Sequence, residues 1–284
     1  MLINEVCKKS NVTKKAIEYY AEHGLISPVI AENGYRQFSD DDVEKLKKIS
    51  IMRGLGIPVA EIREVLENNS LSMLLTLLHK NELEMSAMKE KLEIMQQLVS
   101  NGNWENACRQ MESLQNRQSI LTRILDKFPG GYGQMVSLHF APFLDEPIQT
   151  EEQRIAFEEI IDFLDNMKTS IPDDLQEYLA EAAINADPEI MHKASESLSA
   201  AMDNPQEFIE NNKEMLNQYQ AVLDSKEYKE SPAYRLNECL KQLQNESGYQ
   251  DIFIPAMLRL SPSYQEYYNS LQMANDVFKQ FYNS

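Results

Sequence analysis

Between residues 71 and 99 one pattern leaves the chain little freedom. Leu74, Leu78, Asn81, Met85, Met88, Leu92, Met95 and Val99 are separated alternately by four and three residues. That is a period of about 3.5, the spacing of a seam between two helices. A strand cannot carry it, because strand side chains alternate with period two. The run therefore predicts one long helix with an apolar edge that needs a second helix to cover it. Asn81 interrupts the edge, and a polar residue in a seam costs stability while fixing register. The covering helix is either another part of this chain or the same segment of a second copy.

Upstream, residues 12–38 read as a helix-turn-helix followed by a wing. Thr13 is placed to cap a short helix with its hydroxyl. Ala16, Ile17 and Tyr20 fall at helical spacing and face an earlier helix carrying Ile3 and Val6. Lys14, Lys15 and Tyr19 then point outward, toward a groove or its phosphates. Gly24 stops the helix. Asn33-Gly34 favours positive φ and a tight hairpin, which presents Tyr35 and Arg36. Ser39 with Asp40, Asp41 and Asp42 behind it is an N-cap with acid in the first turn. Val43, Leu46 and Ile49 give the next helix an inner face, with Lys45, Lys47 and Lys48 outside. Pro58 opens a further helix to Leu66.

These residues resemble the winged helix-turn-helix domain of the MerR family of bacterial transcription regulators. The matching features are Tyr19-Tyr20, Gly24-Leu25-Ile26, Asn33-Gly34-Tyr35-Arg36, Phe38-Ser39 and the Gly54-x-Gly56-Ile57 turn before Glu61-Ile62. Their order and spacing fit over residues 3–66. One position departs: relatives usually carry arginine where this chain has Glu18. The resemblance implies contacts to double-stranded promoter DNA from Thr13, Lys14, Lys15, Tyr19, Tyr20, Tyr35, Arg36, Lys47 and Lys48. It implies a homodimer joined by an antiparallel helix at Leu74, Leu78, Met85, Met88, Leu92, Met95 and Val99, with two heads on a pseudo-palindromic site. It also implies work with RNA polymerase. Effector binding would twist and bend an over-long promoter spacer, coupling DNA deformation to a second site.

The net charge of −18 looks wrong for such a role until its distribution is considered. Residues 1–70 hold 10 Lys or Arg and 11 Asp or Glu, a net of −1. The other −17 belongs to the remainder, which would repel phosphate and orient the molecule on DNA. No run approaches the 18 or so apolar residues of a membrane span and no charged-then-apolar leader opens the chain, so the cytoplasm is the simplest location and no membrane partner is expected. Cys7, Cys108 and Cys239 are far apart, so they are expected as buried thiols in a reducing compartment, with neither a metal site nor metal sensing.

Phe128-Pro129-Gly130-Gly131-Tyr132-Gly133 reads as a linker, since no Lys-Ser/Thr follows to make it a phosphate loop. The expected domains are therefore 1–70, the DNA-binding head; 71–127, the dimerisation helix and a linker helix capped by Asn103; and 128–284, a helical sensor domain. Thr150 with Gln153, Asp187-Pro188, Asn204-Pro205 and Ser261-Pro262 each mark a helix start. Only residues 251–254 could be a strand, and Pro255 argues against a central one. The fold class is thus all-α with a small β wing: a winged head, a long dimerisation helix and a C-terminal helical bundle.

Residues 128–284 hold ten of the 13 tyrosines and nine of the ten phenylalanines. Aromatics with a few acids suit a pocket for an apolar or cationic small molecule. The candidate effector residues are Glu177, Tyr178, Glu181, Tyr264, Glu266, Tyr267 and Tyr268. Nothing points to catalysis or to a cofactor. His139 reads as a core histidine, and neither it nor His192 has the neighbours of a catalytic arrangement. The competing reading makes residues 128–284 a protein-interaction module with no small ligand.

Overall fold

The computed structural model of the chain describes residues 1–32, 34–68, 70–128, 130–168, 171–246 and 248–282. The expected hairpin residue Asn33 and the expected linker residue Pro129 lie outside these, and the side chain of His192 is outside what is described. The chain forms two compact units, Met1–Leu77 and Leu78–Ser284.

In the first unit, α1 (Ile3–Ser10) and α2 (Lys14–Glu22) precede a two-stranded antiparallel ribbon of β1 (Val29–Ile30) and β2 (Arg36–Gln37). Then come α3 (Asp40–Gly54), α4 (Val59–Asn68) and the start of α5 (Leu71–Asn101). The caps are local chemistry. The Thr13 hydroxyl accepts from the Ala16 N–H at 3.3 Å. The Ser39 hydroxyl accepts from the Asp42 N–H at 3.0 Å, and the Asp42 carboxylate accepts from the Ser39 N–H at 2.8 Å. Such a cap contributes about 1 kcal/mol. Val6, Ile17, Leu46, Ile49 and Ile62 have no exposed surface. Each such side chain contributes about 1.5–3 kcal/mol on burial, and together they lock α1 to α4 into one core.

The second unit takes the rest of α5, then α6 (Trp104–Lys127), α7 (Gly130–Phe140), α8 (Glu151–Asn166), α9 (Asp173–Ile184), α10 (Pro188–Asp203), α11 (Pro205–Asp224), the single turn α12 (Lys226–Lys229), α13 (Pro232–Glu246), α14 (Ile254–Leu260) and α15 (Pro262–Tyr282). The chain is therefore all-α apart from the β ribbon. Residues 249–253, which include most of the one candidate strand, form a π-helical turn that leads into α14. The core runs from Ile120, Leu121 and Ile124 of α6 through Ile160 and Leu164 of α8 to Met257 of α14 and Tyr264 of α15.

The expected linker is not one. Gly130 starts α7, and Phe128, Tyr132 and Gly133 are buried. α6 contributes to the same core as the helices after it, so the break between units falls inside α5 and not near residue 128. The glycines are there for close packing. A Cβ on Gly131 would come within 2.8 Å of the Ala183 Cβ, and one on Gly133 would collide with the carbonyl oxygen of Phe128. Two further expectations change. Cys108 is exposed, because α6 turns it away from the core, while Cys7 and Cys239 are half-buried. His139 is also exposed, although its ring meets Phe140, Phe143, Tyr264 and Tyr267. Among the described residues, no helix is long and apolar enough to cross a membrane.

Gly133→Ala should cost more than about 2 kcal/mol, the upper part of the range for overpacking a filled site. Urea denaturation checks this. A loss below about 0.5 kcal/mol would mean that the segment yields as a linker does.

Candidate nucleic-acid interface

α2 stands on Ile17 and Tyr20, which are buried in the head core. Tyr20 is only 8% exposed, so this candidate DNA contact is a core residue: it follows Tyr19 directly, and neighbours on a helix point about 100° apart. Lys14, Lys15 and Tyr19 share the exposed side. Tyr19 is held there by His23, whose ring centroid lies 3.9 Å from its own. Thr13 is exposed, but its hydroxyl is engaged by the cap.

The ribbon pairs Val29 with Gln37 and Ile30 with Arg36. Its turn is closed by the Gly34 N–H donating to the Ala31 carbonyl at 2.8 Å, with Gly34 at φ +79°, a conformation that glycine adopts freely. Phe38 roots the ribbon in the core. Tyr35 and Arg36 project beyond it, exposed.

The charges around these groups are unequal. Lys14 lies 3.9 Å from Glu18, one turn on. Lys45 pairs with Asp41 at 2.8 Å, and that hydrogen bond raises its pKa. Lys47 pairs with Glu44 at 2.7 Å. Among the described residues, no carboxylate lies within ion-pair distance of Lys15, Arg36 or Lys48. These three cations carry the least compensated positive charge of the candidate set. An exposed helix and a projecting ribbon thus each carry a cation and an aromatic, the side-chain types that contacts to phosphates and base edges use.

In the second unit, the structure gathers some effector candidates and separates others. Tyr264, Tyr267 and Tyr268 stack beside His139, Phe140 and Phe143. Tyr264 is buried, and that burial pushes its pKa well above the usual phenol range. Glu266, on the same helix, faces solvent. Glu177, Tyr178 and Glu181 stand on α9, and among the described residues no ring contact joins Tyr178 to that cluster. Among the described residues no group of three His, Cys, Asp or Glu side chains is placed to hold a metal ion.

The seam residues Leu74, Leu78, Met85, Met88, Leu92, Met95 and Val99 are all exposed. Met85 reaches 73%, Met88 67% and Val99 83%. The other side of α5 is occupied: Ala87 is buried, Leu83 packs on the core, and Glu90 accepts from Arg117 of α6. Arg117 also donates to Asp145. This triad escapes sequence reading, because its members are far apart and each is an ordinary surface residue type.

Comparison with known proteins supports the head. The model for the MerR HTH family of regulatory proteins matches residues 1–69. The HTH-type transcriptional regulator HmrR of Rhizobium leguminosarum bv. viciae is 42% identical over 66 residues, which are 23% of this chain and 51% of that protein. The HTH-type transcriptional regulator YfmP of Bacillus subtilis is 35% identical over 102 residues, 35% of this chain and 73% of that protein. The multidrug-efflux transporter 2 regulator of the same organism is 31% identical over 96 residues, 34% of this chain and 35% of that protein. The chain spans about half the length of most of the curated relatives it matches. No solved structure matches it. With its helix-turn-helix, its wing and this coverage of YfmP, the chain belongs to the MerR HTH family of regulatory proteins.

Proposed function

We propose that this chain is a homodimeric transcription regulator that holds promoter DNA with two winged heads and responds to a small molecule through the residues beyond its long helix. The observation that carries the reading is the exposed set Lys15, Tyr19, Tyr35, Arg36 and Lys48 on a family-matched head. RNA polymerase at the same promoter is the expected protein partner, by family resemblance. The exposed α5 seam supports pairing: seven apolar side chains in one row exceed the scattered exposure of an ordinary surface. The aromatic-rich, acidic second unit supports an apolar ligand that is cationic or neutral. One observation favours the alternative of a protein-docking module. Ile190 and Leu198 on α10, with Met215, Tyr219 and Val222 on α11, are all exposed.

Two measurements test the reading. In gel shifts on a duplex carrying the chain's own promoter, Arg36→Ala should weaken binding by about 1–3 kcal/mol where it reads a base, and Lys15→Ala should lower the salt slope by about one per head. Glu18→Gln should tighten binding and steepen the slope, since it releases Lys14 to the phosphates. Affinities and slopes unchanged in all three would reject the interface. In sedimentation, a Leu92→Glu, Met95→Glu double variant should be monomeric, because uncompensated carboxylates cannot be buried in an apolar seam. A dimer that survives places the interface elsewhere.

A further inference from the structure

Two grooves run beside the inner side of α5, and one triad separates them. The first, about 470 Å³, lies between α5 and α6, with Glu93, Gln97, Gln110 and Leu114 among its walls. The second, about 400 Å³, is lined by Leu83, Ser86, Ala87, Leu121 and Pro142. Glu90, Arg117 and Asp145 line both. The second groove is mostly apolar and the first carries more polar side chains, so the two side by side form an amphiphilic trough whose charge sits at the triad they share.

The charge has a sign. Arg117, its side chain 16% exposed, is already engaged by Glu90 and Asp145. Burial pulls its pKa down, but those two hydrogen bonds more than offset this, and it stays charged. Glu93 brings a third carboxylate to the trough, and among the described residues no cation lies within ion-pair distance of it. Arg109, the other cation on the wall, leans toward Glu105 at 3.8 Å. The middle of the trough thus holds three carboxylates against one committed guanidinium. In addition, among the described residues no donor reaches the buried Oε1 of Gln110, while its amide nitrogen donates to Gln97 at 3.2 Å. Glu93 and the Gln110 oxygen both accept, and the carboxylates outnumber the cation, so the trough favours a ligand that donates and carries positive charge.

We infer that this trough binds an amphiphilic organic cation: an ammonium group between Glu93, Glu90 and Asp145, with a short apolar body over Leu83, Leu121 and Pro142. The inference rests on the regulator reading and moves its effector site away from Tyr178 and Tyr264–Tyr268. The position suits a regulator. The trough lies on the side of α5 opposite Met85, Met88 and Met95, so a body inserted against Leu83 and Ser86 bears on the helix that carries the seam. Asp145 follows the turn Ala141–Phe143, whose Phe143 meets Tyr264 and Tyr267. A ligand that competes for Asp145 therefore also reaches the aromatic core.

The test uses the full chain and three probes that share one apolar body: 4-phenylbutylamine, 4-phenylbutanol and 4-phenylbutyrate. Calorimetry at about 150 mM salt suppresses diffuse attraction to the acidic surface. The amine should bind saturably, about tenfold or more tighter than the alcohol, and the acid should not bind. Glu93→Gln should weaken the amine about tenfold and leave the alcohol unchanged. Ser86→Trp, at an exposed position that fills the apolar groove, should weaken both amine and alcohol. A silent amine, a preference for the acid, or amine binding that either variant leaves unchanged would overturn the site. Gel shifts on the same proteins keep the two readings apart: DNA binding without amine binding removes this site alone, while loss of DNA binding in the unmodified chain removes the regulator reading.

Discussion

The exposed apolar row and the trough opposite it both depend on how α5 divides its surface. Residues 78–101 of one helix meet two demands. Leu83 and Ala87 are consumed by the chain's own core, and Glu90 by Arg117 of α6. Met85, Met88, Leu92, Met95 and Val99 point away and remain exposed. A helix can do this because residues four and three apart share a side, while those two apart do not. The division also means that neither side can shift without the other feeling it. A helix of this length is stiff over several turns, so a displacement at Leu83 is carried to Met85 and Met88.

Electrostatics divides the chain in a second way. Nearly all of the net negative charge lies outside the head, whose 11 acids almost balance its 10 bases, and the lysines of α3 are mostly paired with neighbours one turn away. Exposed pairs of this kind contribute about 0.3–0.5 kcal/mol. Their consequence for stability is therefore small, and their consequence for binding larger: Lys45 and Lys47 must surrender Asp41 and Glu44 before they can serve a phosphate, whereas Lys15, Arg36 and Lys48 need surrender nothing. Glu18, 3.9 Å from Lys14, extends the same logic to it. On the proposed reading of the head, Lys15 and the ribbon's Arg36 would therefore carry more of the phosphate contact than Lys14 does.

Sequence reading succeeded where the physics is short-ranged. Thr13, Ser39, Asn103, Thr150, Asp187 and Asn204 each accept from an N–H two or three residues on, and a cap needs no more context than that. The apolar row of α5 was legible as helical because its residues keep their period whether or not anything covers them. Reading failed where one residue type serves two opposite purposes. Gly131 and Gly133 look like linker glycines, yet Ala183 and the Phe128 carbonyl occupy the space their side chains would need. Tyr20, which its helical spacing turns inward and the family resemblance turns toward DNA, is a core residue, because helix rotation separates it from the exposed Tyr19. Among the effector candidates, Tyr264 is buried while Tyr267 and Tyr268 are only partly covered, so composition could not tell a core from a pocket.

Arg117 shows why such a triad is worth holding in a bundle that gains little stability from it. Taking a guanidinium mostly out of water is costly, and two carboxylates repay that cost only in part. An apolar side chain of similar size at this position would pack against Leu83 and Leu121 at comparable stability. What it could not do is choose among registers, because apolar surfaces slide and forked hydrogen bonds do not. The triad fixes α5, α6 and the turn before α8 at one point, through Glu90, Arg117 and Asp145. It also makes that point sensitive to charge. A cation added there would compete with Arg117 for Glu90 on α5 and for Asp145 beyond it. Leucines at these three places would offer a cation nothing to compete for.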